Sequence, residues 1–214
     1  MCSIIFGNLP ANFNLDQAQL KFAKLKDANF TNSTLRMSDL TRADLSNAIF
    51  TDADLFCSEL RSTTCINSNL ERVKLDSCDL RDAKFENTNL AYAFLANSHL
   101  NDASLKGSNL SNAILINTNL SRANLANTNL SNSVLLLIED YADLQLNEET
   151  NFKDSIIDDP GFITYLNIKK AKGIPKEIGS KQELKRRLQL RNDLEASLIE
   201  AILKLSTLPN NPKG

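Results

Sequence analysis

Residues 43–47 read Ala-Asp-Leu-Ser-Asn, and residues 123–127 read Ala-Asn-Leu-Ala-Asn. Both belong to one repeating unit with the pattern small–polar–Leu–polar–polar. Every fifth residue from Leu15 to Leu135 is Leu or Phe at 24 of 25 positions, and Cys65 is the exception. Two residues before these positions the chain carries 11 Ala, 7 Ser and 4 Thr. A repeat this regular decides the fold class of the chain.

The five-residue period excludes the common elements. On a helix, a step of five residues rotates by about 500°, so the Leu side chains would spread around the whole cylinder. On a flat strand, each step of five would move the Leu to the opposite face. Within one unit, however, the small residue and the Leu are two apart and point to the same side of an extended segment. The pattern therefore predicts short extended faces joined by corners, wound into a coil with the Leu inside.

The unit resembles the repeat of the pentapeptide-repeat family, over about 120 residues from 11 to 135. The resemblance implies an all-β solenoid, the right-handed quadrilateral β-helix, in which four units make one coil. The 25 units then predict about six coils. Successive coils stack about 4.8 Å apart and pair their backbone groups with each other.

The interruptions of the repeat define three segments. Residues 1–14 are expected to form an N-terminal cap, because Ile4, Ile5 and Phe6 can cover the first coil. Residues 15–157 are predicted to form the solenoid. The register breaks after Leu135 and returns in a new phase at Thr150, which predicts an insertion over residues 136–149. Residues 158–214 are predicted to form a C-terminal helical segment.

Helix signals are concentrated in this last segment. Asp159-Pro160 supplies an N-cap followed by Pro at the first helical position, which predicts a helix over about residues 160–171. Ser180-Lys181-Gln182-Glu183 is a capping box. Residues 181–206 contain neither Gly nor Pro, and we expect them to form a single helix. Its apolar stripe consists of Leu190, Leu194, Leu198, Ala201 and Leu205.

The residue types needed for catalysis are scarce. His99 is the only histidine and is expected to point outward, without a base partner. Cys65 and Cys78 occupy inward positions and are expected to act as small apolar fillers, and Cys57 points outward. No phosphate-binding loop, paired-carboxylate motif or nucleophile elbow is present. We therefore expect no enzymatic activity, no cofactor and no metal site.

Charge and hydropathy restrict the partners and the compartment. The 24 basic and 26 acidic residues nearly cancel, which argues against direct binding of nucleic acid. No apolar run approaches the roughly 18 residues of a membrane span. The first residues lack the basic start and long apolar core of a signal peptide. These features predict a cytoplasmic protein that binds no membrane. The basic run 185–187 is interpreted as a solvated helix face.

Two features of the outer surface have alternative interpretations. Asn69, Asn89, Asn109 and Asn129 are 20 residues apart and should stack in one column. Such amides can form hydrogen-bonded ladders that hold the coils together, or they can form a flat polar binding surface.

The second feature is an apolar face, defined as the face that contains Leu15, Leu35 and their equivalents up to Leu135. Its outward positions carry a predicted docking patch: Met37, Phe56, Phe94, Ile114, Ile116, Val134, Leu136 and Leu137. A contiguous apolar patch requires a cover. Either the C-terminal helical stripe folds back onto it, or a second copy of the chain pairs with it as a homodimer.

Three functions are consistent with this pattern. The first is a non-catalytic protein-interaction scaffold with an unknown partner. The second follows from the resemblance, since some pentapeptide-repeat proteins imitate DNA, bind DNA gyrase and protect it from quinolones. The nearly balanced charge is opposed to mimicry, because a DNA-like rod should be strongly negative. Arg42, Arg61, Arg81 and Arg122 also interrupt the acidic positions of one face. The third is a purely structural protein.

Overall fold

The structure is a computed structural model that describes residues 12–176, 179–191 and 193–209. The chain forms a coil that returns to the same position every 20 residues. Parallel bridges join residues 20 apart, for example Asn14 to Thr34 and Asn69 to Asn89. Four such bridges occur per 20 residues, one for each five-residue unit. Each coil thus satisfies the backbone groups of the next, as the repeat predicts.

The corners use the left-handed region of backbone space. Every fifth residue from Asn12 to Leu137 has a positive φ, and in the first complete turn the Ala18 N–H donates to the Leu15 carbonyl at 3.0 Å. Asn and Asp are the commonest residues at these positions, because their short polar side chains tolerate this conformation. Phe22, at φ 60°, and Tyr92, at φ 63°, occupy it with bulky side chains. The coil turns four times per revolution almost without glycine.

The core is a column of apolar side chains along each face. From Leu25 to Leu135 every fifth side chain is at most 1% exposed, which confirms the predicted burial of the Leu and Phe positions. Cys65 and Cys78 are buried and Cys57 is exposed, also as predicted. Phe30 and Phe50 stack with ring centroids 4.7 Å apart.

Buried hydroxyl groups explain why Ser and Thr alternate with Ala at the small positions. The Thr88 hydroxyl donates to the carbonyl of Cys65 at 2.6 Å, and the Ser98 hydroxyl donates to the carbonyl of Leu75 at 2.6 Å. Each donor lies 23 residues after its acceptor, in the next coil. Such bonds remove most of the cost of burying a hydroxyl and link adjacent coils.

The Asn column forms the predicted ladder. The Asn89 amide donates to Asn69 Oδ1 at 3.1 Å, and Asn109 and Asn129 continue the series at 3.2 Å each. The same Oδ1 of Asn89 also accepts from the backbone N–H of Ala91, two residues later. The periodic Asn and Asp before each Leu therefore stabilise turns and stacking, which confirms the structural interpretation of this column.

The predicted insertion over residues 136–149 is wrong. Asp140 bridges Asn119, Gln145 bridges Asn124 and Asn151 bridges Asn129, at offsets of 21, 21 and 22 residues. These residues therefore form a further coil with two extra residues, and the repeat was hidden because Leu144 and Tyr141 replace the usual residue types. The column from Asn14 to Ile156 makes seven steps rather than about six, for a height of about 34 Å.

Three short strands and the first helix mark the C-terminal end of the coil. The strands β1 (Ile114–Ile116), β2 (Val134–Leu136) and β3 (Ile156–Ile157) form a parallel sheet in that order. The helix α1 (Pro160–Ile168) begins at the predicted N-cap, where the Asp159 side chain accepts from the Gly161 N–H. Phe162 and Leu166 of α1 are fully buried in the core of the coil. This helix therefore caps the C-terminal end of the stack. Within the described residues, helix occurs only from Pro160 onward, as expected.

The remaining helical segment differs from the prediction of a single helix. It contains α2 (Lys181–Gln189) and α3 (Ala196–Leu205), which pack against each other as a hairpin. Ser180 caps α2 by accepting from the Glu183 N–H, which confirms this part of the capping box. Leu208 is 3% exposed, so the tail is ordered further than the frayed end expected from the sequence. The predicted N-terminal cap lies almost entirely outside the described residues.

Candidate docking surface

The apolar face of the coil carries a second hydrophobic cluster outside the core. Its members on the face are the outward side chains of β1, β2 and β3, including Ile114, Ile116, Val134 and Leu136. In these strands every residue is buried, because one side faces the coil interior and the other faces a layer of helix. The face thus becomes the middle layer of a local β–α arrangement.

The helical layer is the α2–α3 hairpin. Leu184 and Leu188 of α2, and Ile199 and Ile202 of α3, are buried against the face. Leu208 completes the cluster after α3 ends. None of these five residues belongs to the stripe that the sequence pattern singled out. The i, i+4 spacing of Leu184 and Leu188 was the available signal, and it was overlooked because the longer stripe seemed continuous.

Arg191 holds the turn between the two helices against the coil. Its guanidinium donates to the carbonyl of Asn112 at 2.8 Å and to the carbonyl of Tyr92 at 2.7 Å. It also lies over the Tyr92 ring, 5.3 Å from the centroid, and pairs with Asp193. Its side chain is only 8% exposed. This anchor explains why the helix breaks here: a straight helix could not bring both α2 and α3 onto one face.

Asp158 ties the end of the hairpin to the last coil. One carboxylate oxygen accepts from the Leu137 N–H at 2.9 Å, and the other accepts from the Thr207 hydroxyl at 3.1 Å. Burial raises the pKa of Asp158, while these hydrogen bonds act in the opposite direction. On α2, hydrogen bonds from Arg186 and then Arg187 are the main reason why the pKa of Glu183 falls to about 2. Arg187 also donates to the carbonyl of Asp154.

The hairpin leaves part of the apolar face open. Beside α3 lies a groove of about 470 Å³, which we call the α3 groove. Its apolar walls are Phe56, Phe94 and Leu137 from the coil and Leu198, Ala201 and Leu205 from α3. Leu205 is 58% exposed, and Phe56, Phe94, Leu137 and Leu198 are half-buried.

The predicted docking patch is therefore divided by the structure. Ile114, Ile116, Val134 and Leu136 are buried beneath the hairpin and are unavailable to another molecule. Phe56, Phe94 and Leu137 line the α3 groove.

Met37 lies apart from both groups and is 53% exposed. Of the two covers considered for the face, the chain's own C-terminal helices occupy the last coils.

Groups that could support catalysis or metal binding are dispersed. His99 is exposed, as expected, and the described residues contain no cluster of three or more His, Cys, Asp or Glu that could hold a metal ion. Burial strongly raises the pKa of the Cys65 and Cys78 thiols, which keeps them protonated. No helix within the described ranges is long and apolar enough to cross a bilayer.

The basic residues on the neighbouring face are paired with carboxylates. Arg122 donates to both oxygens of Asp102 at 2.7 and 2.6 Å, and Arg81 pairs with Asp79 at 2.5 Å. Arg61 lies 3.5 Å from Asp82. The acidic groups of this face are therefore locally neutralised and do not form a negative strip.

The comparison with protein families agrees with the coil geometry. The model of pentapeptide repeats matches in eight copies, over residues 14–52, 53–90, 78–115 and 98–135. Together these ranges cover more than half of the chain. The chain belongs to the pentapeptide-repeat family. Known pentapeptide-repeat structures imply a right-handed β-helix for the repeat region.

Solved structures of this family are similar to the chain at low identity. The pentapeptide-repeat protein Rfr23 from the cyanobacterium Cyanothece 51142 is 31% identical over 54% of this chain and 64% of its own length, with a TM-score of 0.34. The chain thus spans less than two thirds of Rfr23. HetL, a pentapeptide-repeat protein involved in heterocyst differentiation regulation in Nostoc sp. strain PCC 7120, is 21% identical over 68% and 83%, with a TM-score of 0.33.

A third similar structure comes from a resistance protein. QnrB1, a plasmid-mediated fluoroquinolone resistance protein, is 14% identical over 74% of this chain and 95% of its own, with a TM-score of 0.41. At this identity the likeness concerns the fold alone. Curated proteins yield no match to the chain.

Proposed function

We propose that this pentapeptide-repeat protein is a non-catalytic protein-interaction scaffold built on a right-handed quadrilateral β-helix. Its partner binds the α3 groove. The observation that carries this proposal is the groove itself, an apolar channel of about 470 Å³ formed jointly by the coil and by α3. An open apolar channel of this kind is typical of a surface that becomes buried in a complex.

Two properties of the chain support a scaffold rather than an enzyme. The coil is held by backbone bridges at every face, so its surface residues keep fixed positions at the spacing of the stack. The polar columns of that surface are used for turns and ladders, as in Asn89 and Asn109, and their hydrogen bonds are internal. Binding through a preformed apolar groove then costs little conformational entropy.

Affinity capture tests this function. We expect the immobilised wild-type protein to retain a specific protein from extract of its native cells. The double variant Leu198→Glu, Leu205→Glu should retain it at least about tenfold less, because charges in the groove oppose burial. Ile168→Glu is the matched control, because Ile168 is 73% exposed and does not line the groove. If quantitative mass spectrometry finds no protein that separates wild type from the groove variant, the scaffold function is wrong.

DNA mimicry with binding to DNA gyrase is the second candidate function, and the charge pattern is opposed to it. Duplex DNA carries one negative charge per about 1.7 Å of its axis, and a mimic must approach this density. Here the carboxylates of Asp79 and Asp102 are neutralised by the guanidiniums of Arg81 and Arg122. A purely structural role remains the third candidate, and it requires no binding partner at the groove.

A gyrase supercoiling assay separates mimicry from the scaffold function. We expect the protein at micromolar concentration neither to inhibit supercoiling nor to restore it in the presence of a quinolone. The reason is that the paired charges leave no continuous negative strip for the DNA-binding groove of gyrase. The variant Arg81→Gln, Arg122→Gln, which unmasks Asp79 and Asp102, provides a sensitised comparison. Inhibition by the wild-type protein would favour mimicry.

A further inference from the structure

We propose that the α3 groove is occupied by a second copy of this chain, with the α3 helices of the two copies packed antiparallel across a two-fold axis. This inference rests on the proposed function, because it names the partner of the same groove. It begins from the stripe Leu190, Leu194, Leu198, Ala201 and Leu205, which the sequence pattern singled out and the intramolecular packing does not use.

The helix α3 has two apolar sides, and only one of them is satisfied. At about 100° per residue, Ile199 and Ile202 lie on one side, and both are buried against the coil. Leu198, Ala201 and Leu205 follow at i, i+3 and i+7 on the adjacent side and line the groove. Ala201 and Leu205 are exposed. A surface helix of a monomer needs a single apolar stripe, so the second stripe indicates a further packing partner.

The groove continues a contact that already exists in the fold. Phe94 lines the groove and also packs against the cluster beneath the hairpin. The hairpin therefore shows how this face accepts a helix: apolar side chains spaced by three or four residues pack onto the outward residues of the coil. A further helix beside α3 would extend the same layer over Phe56 and Phe94.

A two-fold contact requires one surface that is complementary to itself. The α3 surface meets this requirement, because it supplies both a ridge, Leu198 and Leu205, and one wall of the groove. With the axis near Ile202, antiparallel packing places Leu205 opposite Leu198 of the partner subunit. The helix macrodipoles then oppose each other favourably.

The charges of α3 fit the same arrangement. Across an axis near Ile202, Lys204 lies opposite Glu200 of the partner subunit. Both side chains are exposed, and neither forms an ion pair with any part of the chain that the structure describes. The pairing would occur twice in the dimer, once on each side of the axis. This complementarity favours a second copy over an unrelated protein as the occupant.

The oligomeric state tests the proposal. We expect light scattering during size-exclusion chromatography, across the micromolar range, to give twice the chain mass of 23.8 kDa. Leu205→Glu should raise the dimer dissociation constant at least about tenfold, because it places two charges at the centre of the interface. Leu190→Glu is the matched control and should leave the dimer intact, since Leu190 is 69% exposed and lies outside the groove. Far-UV circular dichroism confirms that both variants keep their fold.

A charge exchange tests the register of the two helices. Lys204→Glu should weaken the dimer about two- to fivefold, because like charges then oppose each other across the axis. The double variant Glu200→Lys, Lys204→Glu restores opposite charges and should return the dissociation constant to the wild-type value. Failure of this rescue, with a dimer that Leu205→Glu does not weaken, would place the interface elsewhere and overturn the proposal.

The outcomes for the dimer and for the scaffold function are distinguishable. A wild-type protein that is monomeric throughout overturns the second copy as occupant, whereas capture of a protein that depends on the groove would still uphold the scaffold function. A dimer that Leu205→Glu dissociates supports the second copy even if capture retains no other protein. In that case the scaffold function fails and the inference of self-association stands.

Discussion

Replacing Leu90 with Ala lowers the free energy of unfolding by about 2–5 kcal/mol. Leu90 is 1% exposed and stands in the middle of the stack, with core residues Leu70 and Leu110 of the same column above and below it. Removing its branched end leaves a cavity that the neighbouring coils cannot fill, because their positions are fixed by backbone bridges such as Asn89 to Asn109. Denaturant unfolding followed by circular dichroism measures the change.

Two companion substitutions make this result specific. Leu90→Met keeps nearly the same volume and should cost less than about 1.5 kcal/mol. Leu190→Ala is the same truncation at a residue that is 69% exposed, and it should leave the unfolding free energy nearly unchanged. Equal losses from Leu90→Ala and Leu190→Ala would contradict the assignment of Leu90 to the core.

Replacing Ile114 with Asp detaches the α2–α3 hairpin while the coil stays folded. Ile114 is 1% exposed, and its outward side chain belongs to the cluster that contains Leu184, Leu188 and Ile202. An unpaired carboxylate at this site costs about 3–5 kcal/mol, which the chain can avoid by releasing the helices. We expect trypsin to cleave at the Lys and Arg residues of α2 much faster than in the wild-type protein. Mass spectrometry should detect a protected fragment that contains the coil.

Ile49→Asp is the matched control for this experiment. Ile49 occupies the equivalent outward bridge position on another face, between Asn29 and Asn69. It is 39% exposed, and the hairpin cluster does not include it. The same substitution should therefore leave the cleavage rate of α2 unchanged. If Ile114→Asp also leaves α2 protected, the apolar contact with the face does not hold the hairpin, and the polar anchors of Arg191 carry that role.

Several features of the candidate site were visible in the sequence only in part. Phe94, Ile114 and Val134 could be placed in one column, because the 20-residue coil follows from the repeat. Their cover could not be assigned, because helical periodicity reports that a stripe is apolar but not which surface it meets. The stripe that ends at Leu205 was the stronger pattern, yet Leu184 and Ile199 make the contact.

The repeat by itself determined the coil, the inward residues and the outward columns. This was possible because each of these depends on local spacing: a unit of five residues can bury its Leu only if the chain turns once per unit. The roles of Asn89 and Ser98 in the stacking follow from the same geometry. The sequence also placed the start of α1 at Pro160, because capping is a local signal.

Only the tertiary structure decided how the C-terminal segment uses its apolar residues. Arg191 breaks the predicted helix by binding carbonyl oxygens of Tyr92 and Asn112, which lie 99 and 79 residues away along the chain. No local pattern announces a contact of that range, because its energy depends on where the coil presents its corner. The fate of Leu198 and Leu205 depends on that break: the hairpin turns Ile199 and Ile202 toward the coil and leaves the other apolar side of α3 open.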